Sequence, residues 1–321
     1  MTTRRLGKSG PQLTRIGLGT WAIGGAGWKY AWGSQDDKDS IAVIHEALDL
    51  GINWIDTAAV YGLGHSEEVV GRAVAGRRDK VFLATKCGRK PAPDGSIASA
   101  LDAASVNAEL EASLRRLKTD WIDLYQIHWP DPDPQIEEAW GVIAKAVKAG
   151  KVRHAGVSNF SPVQMKRIQR IHPITSLQPP YSMLRRDVEQ EILPFCGENG
   201  IGVICYSPLQ MGLLSGTFSR ERVSSLAEDD LRSRNPYFTE PALSRNLALV
   251  ERLRPIAQRS GRSVGELALA WVLRRPEVTA AIVGGRRPGQ AKAFAGAADW
   301  NLSPEDAAET EKALVEREAT A

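Results

Sequence analysis

Residues 51–68 read GINWIDTAAVYGLGHSEE. A short apolar run (Ile52, Trp54, Ile55) ends on a lone acid, Asp56, and a tyrosine, Tyr61, follows in a loop of small residues. Gly62 and Gly64 then break the chain, and Ser66 with Glu67 and Glu68 marks the start of a helix. A carboxylate at the carboxyl end of a buried strand is costly unless a positive charge meets it. The stretch therefore predicts a strand, a loop and a helix, with a cation delivered to Asp56 from another segment.

The same rhythm extends outward. Strands are predicted at 16–19, 53–57, 80–86, 121–128, 152–158, 176–178, 201–206 and 280–283. Helices are predicted at 37–50, at 105–117 with Val106, Leu110, Leu114 and Leu117 on one face, and at 304–318. Another opens at Asp133-Pro134, an N-cap followed by proline, and runs through Ile136, Trp140, Ile143 and Val147. Ser161-Pro162 with Gln164 and Ser303-Pro304 with Asp306 repeat that signal, and Ser263 with Glu266 forms a capping box. Residues 4–15, split by Lys8-Ser9-Gly10-Pro11, read as a hairpin.

Short apolar strands alternating with helices indicate an α/β protein whose parallel sheet is covered by helices. No linker, composition shift or repeat divides the 321 residues. One (β/α)8 TIM barrel domain spanning 1–321, with an N-terminal β-hairpin, is expected rather than two doubly wound domains. The polar residues agree: Asp56, Lys86, His128, Ser158, Asn159, Gln178 and Tyr206 each fall at or just beyond a strand's carboxyl end, where barrel enzymes place their chemistry. The GxGxxA in residues 16–22 could open a dinucleotide-binding helix, but Gly24, Gly25, Gly27 and Gly33 interleave with Trp21, Trp28 and Trp32 and delay any helix to about Asp36.

The formal charge of +3, spread among acids, argues against a nucleic-acid partner. Three cysteines without a CxxC and five histidines without ligand spacing argue against a metal site. With no apolar leader or membrane-length run, a cytoplasmic protein is expected, a monomer or weak homo-oligomer with no membrane partner.

An Asp56–Lys86 pair at the barrel mouth satisfies both charges, and the ammonium beside Tyr61 is expected to lower the phenol pKa toward use as a proton donor or acceptor. Strand alternation puts His128 on one face with Gln126 and Leu124, where a neutral imidazole can orient a carbonyl oxygen.

An acid, a tyrosine, a lysine and a histidine on four segments, in that order, resemble the tetrad of the aldo-keto reductase superfamily. The resemblance covers nearly the whole chain, through RIGLGTW, ATK, DLYQIHWPDP, GKVRHAGVSNFS, LQPPYS, YSPLQMGLLSG and IVGGRRPGQ, and is strongest to the bacterial general-stress and inositol-linked branch. It implies NADPH lying across the carboxyl face, reduction of a carbonyl substrate, Tyr61 as general acid tuned by Asp56 and Lys86, and His128 positioning the substrate. It also implies a cofactor site of Thr20, Trp21, Asp56, Ser158, Asn159, Gln178, Tyr206, Ser207, Leu209, Gly212, Leu214, Gly284, Arg286 and Gln290. Ser158, Asn159 and Gln178 suit a carboxamide, Tyr206 a nicotinamide face, the GLLSG backbone a pyrophosphate, and the Arg286-Arg287 pair a 2′-phosphate, favouring NADP(H) over NAD(H). The chain departs from the family at Ile282-Val283-Gly284 and at Phe294, where many members carry an adenine-contacting Asn. Without a long C-terminal loop, the substrate pocket is expected to be walled by Trp21, Trp28, Trp32, Tyr61, Trp129 and the loop 210–243, accepting aldehydes broadly. Two other classes stay open: a Schiff-base aldolase using Lys86, and a cofactor-sensing binding subunit.

Overall fold

The computed structural model describes residues 1–92, 96–228 and 230–319. Two short strands, β1 (Thr3–Arg5) and β2 (Gln12–Thr14), pair antiparallel. Then β3 (Ile16–Gly19), β4 (Trp54–Asp56) and β5 (Phe82–Cys87) begin the parallel sheet. A ribbon of β6 (Arg89–Pro91) and β7 (Ile97–Ser99) follows β5. The sheet continues with β8 (Ile122–Ile127), β9 (Val152–Ser158), β10 (Ser176–Gln178), β11 (Gly202–Cys205) and β12 (Val278–Gly284). It closes into a barrel by pairing β12 with β3.

The surrounding helices are α1 (Asp37–Asp49), α2 (His65–Ala73), α3 (Ala103–Leu117), α4 (Ile136–Lys148), α5 (Pro162–Ile168) and α6 (Ile192–Asn199). They continue with α7 (Arg220–Ser224), α8 (Ala242–Arg259), α9 (Val264–Leu273), α10 (Gln290–Ala295) and α11 (Pro304–Ala319). The capping boxes at Ser161 and Ser263 form as expected. Asp133 does not cap: a 3-10 turn precedes α4, and its carboxylate takes Gln164 Nε2 and Arg167 instead. A charged partner offers more than a lone backbone N–H. No helix among the described residues is long and apolar enough to cross a membrane.

Register sorts the barrel interior into layers. Asp56 pairs with Ala84, Lys86 with Gln126, Gln126 with Gly156, and Gln178 with Ser158. Because side chains alternate, Trp54, Ala84, Leu124, Ile204 and Ala280 fill the apolar middle. One step toward the carboxyl ends, β4, β5 and β8 present Asp56, Lys86 and Gln126, and β10 adds Gln178. The hairpin stoppers the opposite end with Leu6 and Leu13. Trp54 is admitted because β3 offers Gly17: a Cβ there would come within 2.0 Å of the indole. No helix follows the glycines of β3 until α1, only a 3-10 turn over Trp21–Gly24, so the loop is not a dinucleotide-binding turn.

Candidate active site

Asp56 and Lys86 are both buried, with Lys86 Nζ 2.6 Å from Asp56 Oδ1. Nζ also donates to the Thr57 carbonyl at 2.8 Å and to the Tyr61 hydroxyl at 3.2 Å. Its three hydrogens therefore have three acceptors. Because the Tyr61 oxygen accepts from Lys86, the phenol's own proton is directed away from Nζ. Tyr61 reaches this point on the 3-10 turn Tyr61–Gly64 directly after β4. Burial pulls the Lys86 ammonium below its ordinary value, opposed by the charge and hydrogen bond of Asp56.

The expected lowering of the Tyr61 pKa is not found. Burial first, then the Asp56 charge, push the phenol well above its ordinary value. Burial dominates that rise, and the Asp56 carboxylate acts in the same sense. The result is a proton held firmly until something else stabilises its loss.

His128 follows β8 and meets the Tyr61 ring edge-on, centroids 5.9 Å apart. Burial, then the Lys86 and Arg89 charges, hold its imidazole well below the ordinary range, so it is neutral near pH 7. Trp21 stacks on Tyr61 at 6.3 Å and 17°, Trp28 approaches it at 6.2 Å, and Trp32 lies 5.9 Å from Trp21. Trp129 stands at the rim, 39% exposed. Trp21, Trp28, Trp32 and Tyr61 thus cluster, Tyr30 joins them against Trp28 at 6.0 Å, and Trp129 meets the Arg89 guanidinium at 5.8 Å.

On the far side Ser158, Asn159 and Gln178 come together in one hydrogen-bonded cluster. Ser158 Oγ donates to the Gln178 carbonyl at 2.7 Å. Asn159 Nδ2 donates to Ser158 Oγ and to the His128 carbonyl, and Asn159 Oδ1 accepts from Tyr206 at 3.0 Å. Gln178 Nε2 donates to Asp56 Oδ2 at 2.8 Å and to Gln126 Oε1 at 3.3 Å, and among the described residues nothing donates to its Oε1. Gln178 Oε1 and the second lone pair of Asn159 Oδ1 are therefore acceptors to spare, which fits the NH2 of a nicotinamide carboxamide. Thr20 Oγ1 donates to the Asp56 carbonyl and accepts from Ser66, tying the β3 and β4 ends to α2.

Ser207, Gln210, Met211 and Gly212 all have positive φ, a contorted turn after β11 in which Leu209 is partly buried and Leu214 fully. Such turns set backbone amides facing a concavity suited to an anion. Gly284 ends β12, and Gln290 Oε1 accepts from the backbone of Arg286 and Arg287. The guanidinium of Arg286 is not open as the sequence suggests. It is spent on the carbonyls of Trp32 and Ser34 and on Gln35 Oε1, pinning the glycine-rich loop, while Arg287 is exposed.

Sequence reasoning missed Thr57, Ser66, Gln126 and Arg232. A polar residue inside the apolar strand DLYQI was the available signal for Gln126. Arg232, which stacks over Trp32 at 4.6 Å, left none because its contact is made by a remote loop.

Residues 15–315 match the Aldo/keto reductase family. The chain is 43% identical to aldo-keto reductase YhdN of Bacillus subtilis over 93% of its length and 89% of the relative's. It is 36% identical to the NADH-specific methylglyoxal reductase of Escherichia coli, over 94% and 95% of the two chains. Among solved structures, the glycerol dehydrogenase AKR11B4 of Gluconobacter oxydans superposes with a TM-score of 0.89 at 39% identity, covering 98% of this chain and 95% of that one. The eight-stranded barrel, its mouth and these likenesses agree: the chain belongs to the aldo/keto reductase family.

Proposed function

We propose that the whole chain works as one unit that reduces aldehydes and ketones to alcohols with NADPH in the cytoplasm, Tyr61 serving as general acid. One observation carries the reading: Lys86 donates to the Tyr61 oxygen at 3.2 Å, so the phenol's proton is directed at a substrate rather than at the protein. A bound nicotinamide dinucleotide supplies the hydride. Tyr61 holds its proton through the neutral range and yields it to an oxygen that is gaining negative charge, while the ammonium of Lys86 stabilises the phenolate left behind. Neutral His128 donates a hydrogen bond to that oxygen, and the aromatic wall of Trp21, Trp28 and Trp129 excludes water and holds the substrate's apolar part. The names of two relatives, a methylglyoxal reductase and a glycerol dehydrogenase, support a small carbonyl or its alcohol as substrate.

Retention of Gln178 Oε1 and Asn159 Oδ1 as acceptors supports a nicotinamide carboxamide at that end. The exposed Arg287 beside Gln290, rather than Arg286, supports NADPH over NADH. The aldolase reading gains no support, because a Schiff base needs a lone pair on Nζ and all three Nζ positions donate. The test is a panel of aldehydes and ketones, nitrobenzaldehyde and methylglyoxal included, assayed with NADPH and NADH side by side. Oxidation of NADPH is expected with several carbonyls. No oxidation of either dinucleotide overturns the reading, and a preference for NADH overturns its cofactor half.

A further inference from the structure

Gln126 is fully buried at the mouth of the barrel, in one layer with Lys86 and directly above the apolar residues. It sits on β8 beside Lys86 of β5 and Gly156 of β9. Room for it is made deliberately: a Cβ at Gly156 would come within 3.1 Å of Gln126 Cγ and 2.6 Å of Ser176 Oγ. A buried primary amide costs free energy unless its polar atoms are bonded. A leucine would fill this place without that cost.

The bonds of Gln126 run in one direction. Its Nε2 approaches Asp56 Oδ2 at 3.5 Å, at the limit of a hydrogen bond, and its Oε1 accepts from Gln178 Nε2 at 3.3 Å. Gln178 Nε2 makes its stronger bond to the same Asp56 oxygen at 2.8 Å. A carboxylate only accepts, so Asp56 fixes which end of each amide faces it. Once Gln126 Oε1 takes the second hydrogen of Gln178 Nε2, both of those hydrogens are engaged. Gln178 is left with one orientation, its Nε2 toward Asp56 and its Oε1 away from it.

We propose that Gln126 is a positioning residue that, together with Asp56, locks the polarity of the Gln178 amide so that an acceptor oxygen faces the cofactor's carboxamide. The inference deepens the reading of the site as a nicotinamide-binding mouth and rests on it. The charged and titratable groups facing the cluster are Asp56 from β4, Tyr61 from the turn after it, Lys86 from β5, Glu67 from α2 and Tyr206 after β11, both acting on Lys86, with His128 at the end of β8. Gln126 is the neutral link among them. It satisfies Asp56 and Gln178 without adding a charge beside the Lys86 pair.

The test uses the full chain with two substitutions, Gln126→Met and Gln126→Glu, and two readouts. The first is the side-chain amide of Gln178 followed by 15N NMR without cofactor, where both Nε2 hydrogens of the parent protein are expected to exchange slowly. In Gln126→Met, which keeps volume and removes the acceptor, one hydrogen is expected to lose protection. In Gln126→Glu, which keeps an acceptor, protection is retained. The second readout is dinucleotide affinity by tryptophan fluorescence, with kcat and KM against pH. Gln126→Met is expected to weaken dinucleotide binding about tenfold, the consequence of a buried donor left unpaired. Gln126→Glu is expected to move the acid limb of kcat/KM upward by about one pH unit, a second carboxylate beside Asp56 holding a proton. Unchanged Gln178 exchange in Gln126→Met, or equal loss of protection in both variants, overturns the proposal. If the parent protein turns over no carbonyl while the Gln178 hydrogens respond as expected, the locking stands and the reductase reading falls.

Discussion

The ammonium of Lys86 lies 5.0 Å from the centroid of the Tyr61 ring and donates to its hydroxyl oxygen, yet the phenol keeps its proton. The phenol is poised rather than ionised, because burial and the Asp56 charge disfavour a phenolate while Asp56 holds the lysine at 2.6 Å.

Tyr61→Phe removes the donor and little else. We expect kcat for carbonyl reduction to fall by about 10²–10⁴-fold, the usual contribution of a positioned acid. Dinucleotide affinity should stay within about twofold of the parent. An unchanged kcat in that variant removes Tyr61 from its role.

Asp56→Asn leaves the buried Lys86 without its counter-charge. Removing one member of a buried pair costs about 3–5 kcal/mol, so the denaturant midpoint should drop sharply at neutral pH. A midpoint equal to the parent's would show that the ammonium is not confined as described.

His128 is held neutral by burial, so the unfolded chain binds its proton more readily. Stability rises with pH wherever the unfolded state carries more protons. This contribution is complete above about pH 6.5 and is lost as pH falls below it. Urea unfolding of His128→Asn should show a shallower loss of stability between pH 6.5 and 5 than the parent.

Glu109 carries the opposite sign. Its carboxylate accepts from the Gly88 N–H, but burial outweighs that bond and pushes its pKa up to about 7. The unfolded state releases the proton near its ordinary value, so stability falls as pH rises toward 7, by up to ~3 kcal/mol. Glu109→Gln should be more stable than the parent at pH 8 and no more stable at pH 4. Equal stability at pH 8 would sink the assignment.

Arg286 and Arg287 should separate by substitution. Arg287→Ala is expected to weaken NADPH about tenfold and leave NADH unchanged, since a guanidinium fork distinguishes the two only at the 2′-phosphate. Arg286→Ala should weaken both alike, because it releases the loop around Trp32, Ser34 and Gln35. Equal losses for both dinucleotides in Arg287→Ala would assign the 2′-phosphate elsewhere.

The sequence by itself determined the barrel and placed Asp56, Lys86 and His128 at its strand ends. Strand period and N-cap chemistry are local, so β9 and β10 fall at their expected bounds, and Asp56, Lys86 and His128 sit at strand ends by simple alternation. The tertiary structure decided what those groups do to one another. Whether the Tyr61 pKa rises or falls depends on how deeply the phenol is buried beside Asp56, whether Arg286 is free depends on a loop some 250 residues away (the separation from Trp32 is 254), and whether Gln126 is filler or link depends on the space left by Gly156. Electrostatic balance and hydrogen-bond saturation are sums over neighbours that only the closed barrel brings within reach.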